Sequence, residues 1–101
     1  MDGFSRLARY FKGAYPSVRL SIRRCVMPSG TSADCRKMKD GTYRIRISRD
    51  VDATAQEVLL IHELAHAISW DIDTHKSDHG PKFGIAYAKV WRSFLELLEK
   101  N

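Results

Sequence analysis

Cys25 and Cys35 are the only cysteines in the 101 residues, and they form no C-x-x-C pair. A four-cysteine zinc site is therefore impossible, and a disulfide-stapled secreted scaffold has too little to build on. The two thiols could be neighbours on adjacent strands, and buried free cysteines are the expectation. No apolar run approaches the roughly 18 to 20 residues of a membrane helix, so no membrane partner is expected. The start, Met1-Asp2-Gly3-Phe4-Ser5-Arg6, lacks a secretory signal's uninterrupted apolar stretch and small-residue cleavage site. An Arg-rich opening of this kind also suits a transit peptide, but a first structural helix is the expectation, in a protein that works inside a cell. With no internal repeat, linker or low-complexity segment, residues 1–101 should form a single domain around one core, working as a monomer.

Acidic residues are scarce in one half of the chain. Residues 1–50 hold 12 Lys/Arg against 4 Asp/Glu, a balance of +8, whereas residues 51–101 hold 5 against 8, a balance of −3. Such asymmetry makes the front half a cationic surface suited to an anionic partner, nucleic acid first. Apolar residues at 44% and charged residues at 29% are ordinary for a folded domain and exclude wholesale disorder.

Phe4, Leu7, Ala8 and Phe11 recur at helical spacing with Arg6, Arg9 and Lys12 between them, which predicts an amphipathic helix ended by Pro16. Val18, Leu20 and Ile22 then alternate with Arg19, Ser21 and Arg23, the two-residue period of a strand buried on one face. Pro28-Ser29-Gly30 predicts a turn, residues Ala33 to Met38 a weaker strand, and Asp40-Gly41 a tight hairpin into a third strand at Tyr43, Ile45 and Ile47. Two hairpins would make a three-stranded antiparallel sheet. Thr54-Ala55-Gln56-Glu57 has capping-box spacing, so a helix should start at Thr54 and run to about Trp70. After a polar loop, Gly80-Pro81 opens a last helix whose apolar stripe runs through Phe83, Tyr87, Val90, Trp91, Phe94, Leu97 and Leu98. The order is α, three β, α, α: an α+β domain with helices on one sheet face.

Inside the second helix stand His62, Glu63 and His66, an H-E-x-x-H run. Residues four apart on a helix are stacked on one side, so both imidazoles can reach a single ion. Neutral imidazole nitrogens suit tetrahedral zinc, and Glu63 comes close enough to take a proton from a water there without ligating the metal. A catalytic zinc usually keeps three protein ligands and one open position, so a third is needed. His75, His79, Asp71, Asp73 and Asp78 are the candidates. The extended metzincin pattern is excluded, because it requires glycine at 69 and histidine at 72 where this chain has Ser69 and Ile72. His79 stands ahead of His75 because Gly80-Pro81 gives it a rigid position at the mouth of the next helix. Phe83 and the two tryptophans, Trp70 and Trp91, are read as core. Tyr87 is read first as core, and its hydroxyl could also serve a developing oxyanion.

The stretch HELAHAISW followed by DHGPKF resembles the SprT and Spartan family of zinc metalloproteases, whose hallmark is H-E-x-x-H and then H-G-x-x-F. The matching positions are His62, Glu63, His66, His79, Gly80 and Phe83. The likeness runs from about residue 4 to 98, with the specific motifs between 54 and 91. It implies a minimal gluzincin-like (zincin-like) fold, a Zn2+ ion on His62, His66 and His79, Glu63 as the catalytic base, and protein substrates on or crosslinked to DNA. The competing expectation is a non-catalytic nucleic-acid binder with a structural zinc, in which Arg19, Arg23, Arg36, Lys37, Arg44 and Arg46 form a phosphate-facing sheet. Glu63 favours the enzyme, since a structural site has no use for a carboxylate there.

Overall fold

The computed structural model describes residues 2–71 and 78–100. Its elements run α1 (Gly3–Ala14), β1 (Leu20–Cys25), β2 (Ala33–Lys37), β3 (Tyr43–Ser48), α2 (Ala53–Ile68) and α3 (Pro81–Glu99), an α+β arrangement. The Asp2 carboxylate starts α1 by accepting the Ser5 N–H at 2.8 Å. Phe4, Leu7 and Phe11 form its buried stripe, and it ends two residues before Pro16.

The sheet departs from the antiparallel expectation. Its strand order is β1-β3-β2, with β1 parallel to β3 and only β2 antiparallel to it. Ile45 and Ile47 of β3 are wholly buried, so the most apolar strand takes the centre and the two more polar strands take the edges. The segment from Val26 to Thr42 is long enough for the crossover that a parallel pair requires. The second hairpin forms as expected, with Gly41 at φ +89° and Asp40 Oδ1 accepting the Thr42 N–H at 2.9 Å.

With β3 between them, Cys25 and Cys35 lie on non-adjacent strands about 10 Å apart laterally and are three residues out of register, Cys25 opposite Ser48 and Cys35 opposite Ile45, beyond disulfide reach. Both are free thiols.

Tyr43, Ile45 and Ile47 share one sheet face with Leu20 and Ile22, and α2 packs there across β2 and β3. Leu60, Ile61 and Leu64 of α2 are fully buried, while α1 and α3 close the other sides of that helix. The Tyr15 hydroxyl and Ser93 Oγ lie 2.8 Å apart and tie α1 to α3. The apolar stripe of α3 is as expected except at its end, where Leu98 is 52% exposed. Trp70 and Trp91 are only half-buried. No described helix is long and apolar enough to cross a membrane.

The start of α2 also differs from its expected form. Asp52, not Thr54, is the N-cap, its Oδ1 accepting the Ala55 N–H at 2.8 Å, so the Thr54/Glu57 capping box does not form. Glu57 instead comes up against Gly3 at the start of α1. Asp52→Ala should therefore cost about 1 kcal/mol in chemical denaturation, whereas Thr54→Ala should stay within a few tenths. Equal losses, or the larger loss at Thr54, would return the cap to Thr54.

Candidate metal centre

Helix α2 carries two histidines and Glu63 within an otherwise apolar second half. Its buried side chains grip the sheet and α1, which leaves His62 and His66 half-buried on the side facing the start of α3. His79 arrives from the opposite side. The Asp78 carboxylate accepts the Gly80 N–H at 2.9 Å, and Pro81 at the first helical position fixes the direction in which α3 leaves. A side chain at Gly80 would press on that carboxylate at 3.0 Å.

The result is a convergence of three imidazoles. Nε2 of His66 and Nε2 of His79 each lie 3.2 Å from Nε2 of His62, and the three ligand atoms all fall within 4.8 Å of one another. A neutral imidazole nitrogen holds either a proton or one lone pair, so His62 Nε2 can complete only one of these contacts as a linear hydrogen bond. A cation satisfies all of them. Zinc with nitrogen ligands at about 2.0–2.1 Å in a tetrahedron sets those nitrogens about 3.3 Å apart, close to the two 3.2 Å spacings around His62. The three residues thus fit a metal ion, and no fourth His, Cys, Asp or Glu joins them among the described residues.

Phe83 forms the floor of the site. Its ring centroid lies 5.1, 4.6 and 4.8 Å from those of His62, His66 and His79, and the side chain is buried. Tyr87 stacks on Phe83 at 5.5 Å and meets His62 edge-on at 6.0 Å.

Electrostatics keep His62 and His66 in their ligating form. Burial lowers the His62 pKa, with His79 adding to the effect. His66 is pushed down to about 4, chiefly by burial and then by His62 and His79, with Asp78 opposing. Buried Glu63 moves the other way, to about 7, through loss of solvent and then repulsion from Asp34. That places a carboxylate where it can accept or return a proton near neutral pH.

Of the other ligand candidates, Asp71 and Asp78 stay outside the cluster, while Asp73 and His75 lie outside the described residues. Two neighbours of Glu63 were not foreseen. Cys35, on the helix side of β2, is pushed up to about 12 by burial and then by the Glu63 and Asp34 charges, so it stays a thiol. Asp34 is ion-paired with Arg46. The signal for Cys35 was the parity of β2, which becomes usable only once β2 is known to lie beside α2; Asp34 has the opposite parity, in register with Arg46, and acts on Glu63 from the far face.

The model of the SprT-like family matches residues 2–99. This chain belongs to the SprT-like family. A SprT-like relative, the Germ cell nuclear acidic-1 protein of Caenorhabditis elegans, is 34% identical over 98 residues, an alignment covering 89% of this chain and 18% of that protein. The chain thus spans under a fifth of the curated relative it matches. No solved structure matches the chain. In this SprT-like chain His62, His66, His79 and Phe83, four of the positions that carried the resemblance, come together at one site, with Gly80 next to His79 at the start of α3 and Glu63 buried on α2 next to His62 in sequence.

The basic residues divide. Arg23, Arg36, Arg44 and Arg46 share the sheet face opposite the helices, in the pairs Arg23↔Arg46 and Arg36↔Arg44. Lys37 falls on the helix side near the Tyr43 ring, and Arg19 donates to the Asp40 carbonyl oxygen at 2.9 Å. The expected six-residue phosphate face is reduced to four arginines, of which Arg46 is ion-paired with Asp34 on the same face.

Proposed function

We propose that this SprT-like chain is a zinc-dependent peptidase domain, with His62, His66 and His79 as the metal ligands and Glu63 as the general base. The observation that carries the reading is the meeting of three Nε2 atoms with no fourth protein ligand among the described residues, on a helix that also carries a buried carboxylate at the position next to His62. A bound zinc ion supplies a Lewis acid for the scissile carbonyl and lowers the pKa of water from about 15.7 toward 7. Glu63 then takes the proton of the attacking water and returns it to the leaving amine, so that a C–O bond forms as the C–N bond breaks. Strand β2 is a sheet edge beside α2, and its outward backbone groups suit an extended substrate added as a further strand.

Proteins associated with or crosslinked to DNA are the proposed substrates, reached inside the cell. The arginine face supports this, as does the word nuclear in the relative's name. Binding through phosphates should have little sequence preference and weaken steeply with salt. Arg23→Glu with Arg44→Glu should sharply reduce anisotropy changes with single- and double-stranded DNA at low salt. Binding unchanged by the pair, or indifferent to salt, would leave the face a solvated surface.

The reading as a whole is tested by incubating the zinc-loaded protein with an unfolded protein, with and without DNA. Hydrolysis that a chelator abolishes and zinc restores is expected. Zinc and DNA binding without any hydrolysis would support the non-catalytic binder that the arginine face alone would suggest.

A further inference from the structure

Beyond the metal centre, the same end of the sheet holds a cavity. Strand β2 ends at Lys37, opposite Tyr43, and the chain leaving α2 reaches Trp70, whose ring meets Tyr43 edge-on at 5.8 Å. Lys37, Met38, Lys39 and Trp70 line a cavity of about 300 Å³ between these segments. Trp70 is fixed there by packing: its Nε1 is buried with no acceptor among the described residues. Lys37 Nζ lies 5.9 Å from the Tyr43 ring centroid.

Among the described residues the lining includes two lysines and no Asp or Glu. Other charged groups stand nearby. Arg19 donates to the Asp40 carbonyl oxygen behind the turn, the Asp40 carboxylate accepts the Thr42 N–H, and Asp71 follows Trp70 in sequence. Trp70 lies four residues beyond His66, just past the end of α2 at Ile68. Four residues of chain span at most about 14 Å and an extended substrate advances about 3.3 Å per residue, so a strand lying on β2 with its scissile bond at the metal ligands brings a side chain to the cavity within about four residues of the cut.

We propose that this cavity is a substrate pocket that selects an acidic side chain, Asp or Glu, close to the scissile bond. The lysines neutralise the carboxylate, while Met38 and Trp70 cover the methylene groups that carry it. An acidic side chain brings the charge that the lining lacks, and a basic one meets like charge in a confined, partly apolar space. The proposal rests on the peptidase reading for the position of the substrate and goes beyond it in naming what the substrate must carry.

The test separates the two. Zinc-loaded Glu63→Gln protein, which binds without turning over, is titrated with fluorescent peptides that differ only by Glu, Gln or Lys at successive positions. At one position the Glu peptide should bind at least tenfold more tightly than the Lys peptide. Lys37→Glu with Lys39→Glu should abolish or reverse that order, and Lys39→Gln, at an exposed position, should weaken it should the double variant misfold. Equal affinities at every position, or a preference that survives these changes, would overturn the pocket. In parallel, cut sites made by the parent in an unfolded protein are mapped by mass spectrometry. Cuts with no acidic enrichment nearby would overturn the pocket and leave the peptidase standing. A lysine-dependent preference for Glu peptides in a parent that cuts nothing would do the reverse. Lysine-dependent binding of a single-stranded oligonucleotide, with no peptide preference, would make the cavity a nucleic-acid contact and overturn the proposal.

Discussion

Glu63→Gln is expected to keep its fold and a full complement of zinc while peptide hydrolysis falls by about 10² to 10⁴, the usual range for loss of a general acid–base group. The substitution preserves the shape of the side chain and both histidines beside it, and it removes the proton acceptor. Burial makes the amide easy to accommodate, since Glu63 is only 7% exposed and a neutral group there avoids the cost of desolvating a charge. Thermal stability without zinc should be equal to the parent's or slightly higher. Loss of zinc or of the fold would make Glu63 a structural residue, and full activity would remove it from the mechanism.

Removing a ligand should have the opposite signature. The parent, with zinc at about a hundred times its dissociation constant, gains about 2.7 kcal/mol by linkage, worth about 10–20 °C in Tm for a domain of this size. His66→Ala and His79→Ala should lose most of that gain, and elemental analysis should find them largely zinc-free. Their loss of affinity should exceed the 10–100-fold typical of groups that only orient ligands. His75→Ala should keep its metal. The reverse pattern, with His79→Ala loaded and His75→Ala empty, would transfer the third ligand to His75.

Local chemistry was legible in the sequence at three short segments. The i, i+4 histidines of α2, the Gly80-Pro81 start of α3 and the Asp40-Gly41 turn each depend on neighbours in sequence, and each takes its expected form. The sheet was less legible, because alternation reveals which residues share a face and not which strands are neighbours. Nothing in Leu20-Ser21-Ile22-Arg23 alone shows that it pairs parallel with Tyr43-Arg44-Ile45-Arg46 across the β2 segment. The same gap hid Asp34 and Cys35 from the surroundings of Glu63 and kept Lys37 on the phosphate face. The cap was misplaced for a simpler reason: Asp52 and Thr54 are both good N-caps, and the choice between them depends on where the chain leaves β3.

The most direct measurement of the central claim is zinc K-edge X-ray absorption of the zinc-loaded protein. Three imidazole nitrogens and one solvent oxygen at about 2.0–2.1 Å are expected, the open coordination of a catalytic site. A sulfur at about 2.3 Å, or a fourth imidazole in place of the oxygen, would show a closed structural site and contradict the account.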